Sequence, residues 1–103
     1  MPIDRFLIRR KLKPENVADY IYHHQNVPPD LMDLYRQSGI QDVSCFLDGN
    51  DLVVYIQVDR ELYERERANL AQTPVEASWQ LLMSTLNEPD APIRTYEEVF
   101  RMF

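Results

Sequence analysis

IQDVSCFLDGNDLVVYIQV, residues 40–58, is the stretch from which the fold can be read. Val43, Cys45 and Leu47 alternate with Ser44 and Phe46, while Leu52, Val54, Ile56 and Val58 hold one face of the run that follows. A period of two sends successive side chains to opposite faces of a pleated strand, so residues 40–47 and 52–58 are expected as strands. Asp48-Gly49-Asn50-Asp51 lies between them, and Gly, Asn and Asp suit the left-handed backbone that tight loops require. The centre of the chain is therefore a β-hairpin.

Working upstream, residues 3–12 alternate with Phe6, Ile8 and Leu12 on one face and read as a strand. Pro14 opens a helix where its missing N–H costs nothing, and Val17, Tyr20, Ile21 and His24 fall on one stripe. Pro28-Pro29 breaks that helix. A second piece carries Leu31, Leu34 and Tyr35 inward, with Gly39 placed to end it. Downstream, Arg60 to Ala71 is a charged helix with Leu62 and Leu70 inward. Thr73-Pro74-Val75-Glu76 has the form of a capping box, and Val75, Trp79, Leu82, Met83 and Leu86 trace the stripe of the next helix. Prolines between Asn87 and Pro92 stop it, and Tyr96 to Phe103 reads as a closing aromatic strand.

The resulting order is βαββαβ, a ferredoxin-like α+β arrangement with a four-stranded antiparallel sheet and helices on one face. Residues 1–103 are long enough for one domain with one core. The sheet face opposite the helices is left open. An open apolar face calls for a partner, so a homodimer is expected, with Phe6, Phe100 or Phe103 carried across by the outer strands.

A net charge of −6 disfavours a phosphate-binding surface, and alternation divides the basic cluster of Arg9, Arg10, Lys11 and Lys13 between two faces. Nucleic acid is therefore not an expected partner. No apolar run reaches the length of a membrane span, and MPIDRFLIRR has neither the apolar core nor the cleavage pattern of a signal peptide. Cys45 is the single cysteine, which rules out an intramolecular disulfide and favours a cytoplasmic setting. Its place in an alternating strand makes it a packed thiol rather than a nucleophile, and two histidines with one cysteine do not give a metal-ligand spacing.

Chemistry is concentrated at Tyr20 and His24. Four residues apart, they share one helix face, and an imidazole exchanges protons near neutrality. Residues of these types also serve simply as core-edge packing with satisfied polar tips. His23 points about 100° away around the helix and is expected at the surface. Trp79 can lay a flat apolar ring against a ligand or sit in the core stripe. Asp30 suits the positive end of a helix start, and Glu98 is a further carboxylate without independent support.

The segment Tyr20-Ile-Tyr-His-His24-Gln-Asn-Val-Pro-Pro29-Asp30-Leu31 resembles the signature of the L-rhamnose mutarotase family. Gly39-Ile40, Phe46-Leu47-Asp48, Leu52 to Val58 and Thr73 to Trp79 with Met83 are similar to later parts of the same family, up to Val99-Phe100. The resemblance implies a dimeric α+β barrel that interconverts the α and β anomers of a free pyranose, a 6-deoxy sugar such as L-rhamnose, without metal or coenzyme. It places the family's proton-donor histidine on His24 and its substrate-binding tyrosine on Tyr20. Of the family's adjacent tryptophan pair lining the sugar pocket, the first falls on Trp79 and the second on Gln80. A sugar-contacting tyrosine aligns with Val43, and a tryptophan before the Pro-acidic-Leu element aligns with Pro28.

Three other readings remain open on the sequence. They are a sugar or small-molecule binding domain that has lost catalysis, a small monooxygenase or haem-handling protein on the same scaffold, and a structural dimeric subunit.

Overall fold

The computed structural model describes residues 2–102. Along the chain run β1 (Ile3–Lys11), a 3-10 turn (Pro14–Asn16), α1 (Val17–His24), α2 (Pro29–Gln37), β2 (Ile40–Asp48), β3 (Asp51–Asp59), α3 (Arg60–Gln72), α4 (Pro74–Leu86) and β4 (Arg94–Glu97). The strands form one antiparallel sheet in the spatial order β2-β3-β1-β4. This is the ferredoxin-like α+β fold that the hairpin and its flanking helices predict.

Register decides which side chains meet the helices. Phe6, Ile8 and Arg10 of β1 stand opposite Ile56, Val54 and Leu52 of β3, which in turn stand opposite Val43, Cys45 and Leu47 of β2. Leu12, Tyr20, Leu52 and Leu86 form a buried cluster with Val17, Leu47, Val54 and Met83 around it, so this is the helix-covered face. Leu12 and Leu31 are fully buried, and each such side chain contributes roughly 1.5–3 kcal/mol. On the other face, Leu7, Arg9, Phe46, Val53 and Tyr96 line a shallow hollow of about 380 Å³.

Local signals explain most element boundaries. Gly49 takes a φ of +59° in the hairpin turn, and Asp48 pairs with Asp51 across it. Gly39 ends α2 at φ +89°. Asp59 caps α3, its carboxylate accepting from the Leu62 N–H at 3.3 Å.

Several expectations are corrected. Pro14 opens a 3-10 turn, and the α-helix proper starts at Val17. Ile21, expected inward, is 43% exposed. The capping box at Thr73 does not form. Only Thr73 separates α3 from α4, and its hydroxyl donates back to the Leu70 carbonyl at 2.7 Å, closing the first helix rather than opening the second. The closing strand is shorter than expected and ends at Glu97, opposite Phe6. Beyond it Val99 and Phe100 are 94% and 80% exposed, with no layer to pack against. Phe6 faces the helices, because its strand position opposes Ile56, so it cannot cross the open face to a partner. Phe103 lies outside the described residues. No helix among those described is long and apolar enough to cross a membrane.

Candidate active site

Burial of Tyr20 determines how α1 is rotated. Its ring is 5% exposed and packs with Leu12, Leu52 and Leu86. One turn later, His24 must then lie on the same side, at the half-buried rim of the core. The two rings stack, with centroids 4.0 Å apart and planes at 25°. Trp79 comes from α4 and meets the imidazole edge-on, at 5.2 Å and 69°. The structure thus brings together three of the residues singled out from the sequence.

Hydrogen bonding selects the form of the imidazole. Its Nδ1 lies 2.9 Å from the Tyr20 carbonyl oxygen, which can only accept, so Nδ1 carries the proton. In the neutral ring, Nε2 then presents a lone pair. Burial lowers the pKa of His24 below its ordinary 6.5; the bond to Tyr20 opposes this and the charge of His23 adds to it. At pH 7 the group is a neutral base. Burial pushes the Tyr20 phenol far up, the Cys45 thiol beside it does the same, and the Arg10 guanidinium opposes them. Tyr20 is therefore an O–H donor throughout the working range.

The helix layer leaves β2 partly uncovered at this point. Val43 is 44% exposed and Cys45 is exposed, although both lie on the helix-covered side by register. Cys45 is accordingly not the packed thiol expected. We read the uncovered strip of β2, with the Cys45 thiol beside the Tyr20 phenol, as a groove next to the three rings. Neither the 380 Å³ hollow on the opposite face nor the 710 Å³ hollow around Asp4, Arg60, Tyr63 and Glu97 is lined by Tyr20, His24 or Trp79.

Other candidates sit elsewhere. Gln80 is exposed, and its amide donates to the Glu76 carboxylate at 2.6 Å, so it is already engaged within α4. Glu76 is 6% exposed, and it adds to the burial that pushes the Tyr35 phenol up. His23 turns to Tyr22, edge-on at 5.4 Å. Asp30 accepts from the Leu31 N–H at 3.0 Å, a helix-start contact. Glu98 lies 3.9 Å from Arg5, away from the rings.

Sequence reasoning missed Arg10. It read the basic cluster only as charge divided between faces, yet Ile8-Arg9-Arg10-Lys11-Leu12 carries a cation at a core-facing position between two apolar ones. That interruption of the apolar parity was the available signal. Glu76 was read as a cap residue, and its burial depends on α2 packing across α4, which no local pattern reveals.

Nearly the whole chain is similar to proteins of one family. Residues 5–102 match the family model described as L-rhamnose mutarotase. An L-rhamnose mutarotase of Sinorhizobium medicae is 30% identical over 101 residues, covering 90% of this chain and 95% of that protein. One from Brucella anthropi is 27% identical, covering 96% of each chain. The crystal structure of the L-rhamnose mutarotase of Formosa agariphila superposes with a TM-score of 0.73 at 25% identity, over 96% of this chain and 98% of that one. A putative antibiotic biosynthesis monooxygenase of Nitrosomonas europaea reaches a TM-score of 0.65 at 10% identity, over 95% and 91%, a likeness of fold alone. With the match running through both the tyrosine–histidine helix and the tryptophan helix, the chain belongs to the L-rhamnose mutarotase family.

Proposed function

We propose that this protein interconverts the α and β anomers of a free aldopyranose, with L-rhamnose as the first sugar to assay. The observation that carries this reading is the half-buried His24, whose Nδ1 donates to the Tyr20 carbonyl and whose burial favours the neutral ring, leaving Nε2 as the acceptor. Nε2 accepts the proton of the anomeric hydroxyl as the bond between C1 and the ring oxygen breaks. The imidazolium so formed returns that proton to the ring oxygen, which sits on the same carbon, and the open-chain aldehyde results. Rotation about C1–C2 and the reverse steps close the other anomer, with no net change in atoms or electrons. One neutral-range acid/base suffices, and such a group contributes about 10²–10⁴-fold.

Tyr20 holds the imidazole by its carbonyl and its stacked ring, and its phenol stays protonated beside the Cys45 thiol. Ring separations of 4.0 and 5.2 Å leave no room for a pyranose between the rings, so the sugar lies against their rim, with Trp79 offering its apolar face to the sugar C–H groups. Gln80 serves as a sugar contact only if it leaves Glu76. That engagement favours a second reading, in which the groove binds a sugar without exchanging its anomers.

One experiment tests both readings. Anomer exchange of L-rhamnose is followed by magnetisation-transfer NMR with the wild type and with His24→Ala. Acceleration that falls by 10²-fold or more in the variant is expected. Binding without acceleration, or acceleration that His24→Ala leaves intact, overturns the catalytic reading. The open sheet face supports assembly as a homodimer.

A further inference from the structure

Resting on the proposed mutarotase site, we infer that Arg10 makes this groove selective for an aldopyranose that carries a carboxylate, a hexuronate, over a neutral sugar. The observation is an arginine left without an acid in an acidic protein. With a net charge of −6, carboxylates are abundant, and other arginines take them. Arg9 pairs with Asp51 at 3.1 Å, Arg36 with Asp33 at 3.0 Å and Arg60 with Asp4 at 2.7 Å. Arg10 has no ion pair among the described residues, and its Nε is buried without any hydrogen-bond partner.

Its position is the second part of the argument. Arg10 projects from β1 on the helix-covered face, opposite Leu52, which packs against Tyr20. Its charge acts on the Tyr20 phenol, and the Tyr20 ring is stacked on His24. Burial disfavours the cation here, yet a guanidinium does not surrender its proton in a protein. A buried donor without an acceptor costs stability, and a buried charge calls for a counter-charge. The planar fork of a guanidinium matches a carboxylate in two parallel bonds, which a methyl group at the same sugar carbon cannot supply. The acid that completes this site is therefore on the substrate.

The test needs no variant at first. Saturation-transfer NMR titrations of the wild type compare D-glucuronate, D-galacturonate, D-mannuronate and L-iduronate with the methyl esters of the same sugars, which keep the ring and lose the charge. At least one acid is expected to bind roughly ten- to a hundredfold more tightly than its ester, the span of a charge-assisted hydrogen bond. Arg10→Met is expected to collapse that ratio, and Arg10→Gln serves the same purpose if the first variant does not fold. Equal binding of every acid and its ester, or a preference that survives loss of the guanidinium, overturns the inference. L-Rhamnose exchange is read on the same sample. Accelerated exchange of that neutral sugar without acid preference defeats this inference and leaves the catalytic reading standing. Acid preference without exchange of any sugar does the reverse.

Discussion

His24 is legible in the sequence as a spacing and in the structure as a protonation state. The interval from Tyr20 predicts a shared face, but only the 2.9 Å contact to the Tyr20 carbonyl says which nitrogen is bare. Because burial lowers the folded-state pKa below 6.5, anomer exchange is expected to rise with pH along a limb whose midpoint lies below that value. A limb centred above 6.5 would contradict a buried neutral base. The same shift acts on stability. As pH falls through 6.5 the unfolded chain takes up the proton before the folded one, so the contribution of His24 is complete above the unfolded value and is lost on descending through the folded one. Thermal melts between pH 7 and pH 5 should therefore decline more for the wild type than for His24→Gln, and parallel declines would count against it. Arg10 shows where reading by residue type stops. It was visible as one member of a basic run, whereas its meaning depends on strand parity and on which side the helices cover.

At the scale of elements, two glycines with the same backbone sign carry different obligations. Gly39 has φ +89°, and a Cβ there would meet the Tyr63 nitrogen at 2.8 Å, in addition to the cost of the left-handed conformation. Gly49 has φ +59° in the hairpin turn, with nothing within 4 Å of a Cβ. Gly39→Ala is expected to destabilise by about 2–4 kcal/mol and Gly49→Ala by about 1 kcal/mol, read from urea midpoints. Equal losses would mean that the approach of α3 to Gly39 matters little. The hairpin and the helices were legible because a period of two or 3.6 is written locally in the chain. The capping box failed for a reason outside that pattern. Thr73 is the only residue between α3 and α4, and a hydroxyl used to close one helix cannot open the next. The end of β4 was equally hidden, since a run of aromatic residues does not say where its partner strand turns elsewhere. Val43 and Cys45 alternate as core residues should, and their exposure reflects the reach of the helix layer rather than anything in β2 itself.

Considered as a whole, the molecule carries different side chains on the two faces of its sheet. Tyr20, His24 and Trp79 gather under the helices, while Leu7, Phe46, Val53 and Tyr96 occupy the other side of the same sheet. Phe46 is 60% exposed and Tyr96 42%, an unusual expense of aromatic surface for a face that meets only water. The charged groups at its border do not oppose coverage. Arg9 is held by Asp51 at 3.1 Å, so that pair approaches a neighbour without net charge. A second copy of the sheet, turned face to face, would bury the apolar strip symmetrically, with each residue meeting its own equivalents across a two-fold axis. Dimerisation through this strip would leave the helix side of β2 uncovered. Val53 lies in the middle of the strip, between Arg9 on β1 and Phe46 on β2. Val53→Glu would place one carboxylate from each copy near the axis, and two buried like charges cannot both remain ionised at low cost. Sedimentation equilibrium at micromolar concentration should therefore give twice the chain mass for the wild type and the single chain mass for the variant. A wild type of single mass, or a variant that stays paired, would place any association on another surface.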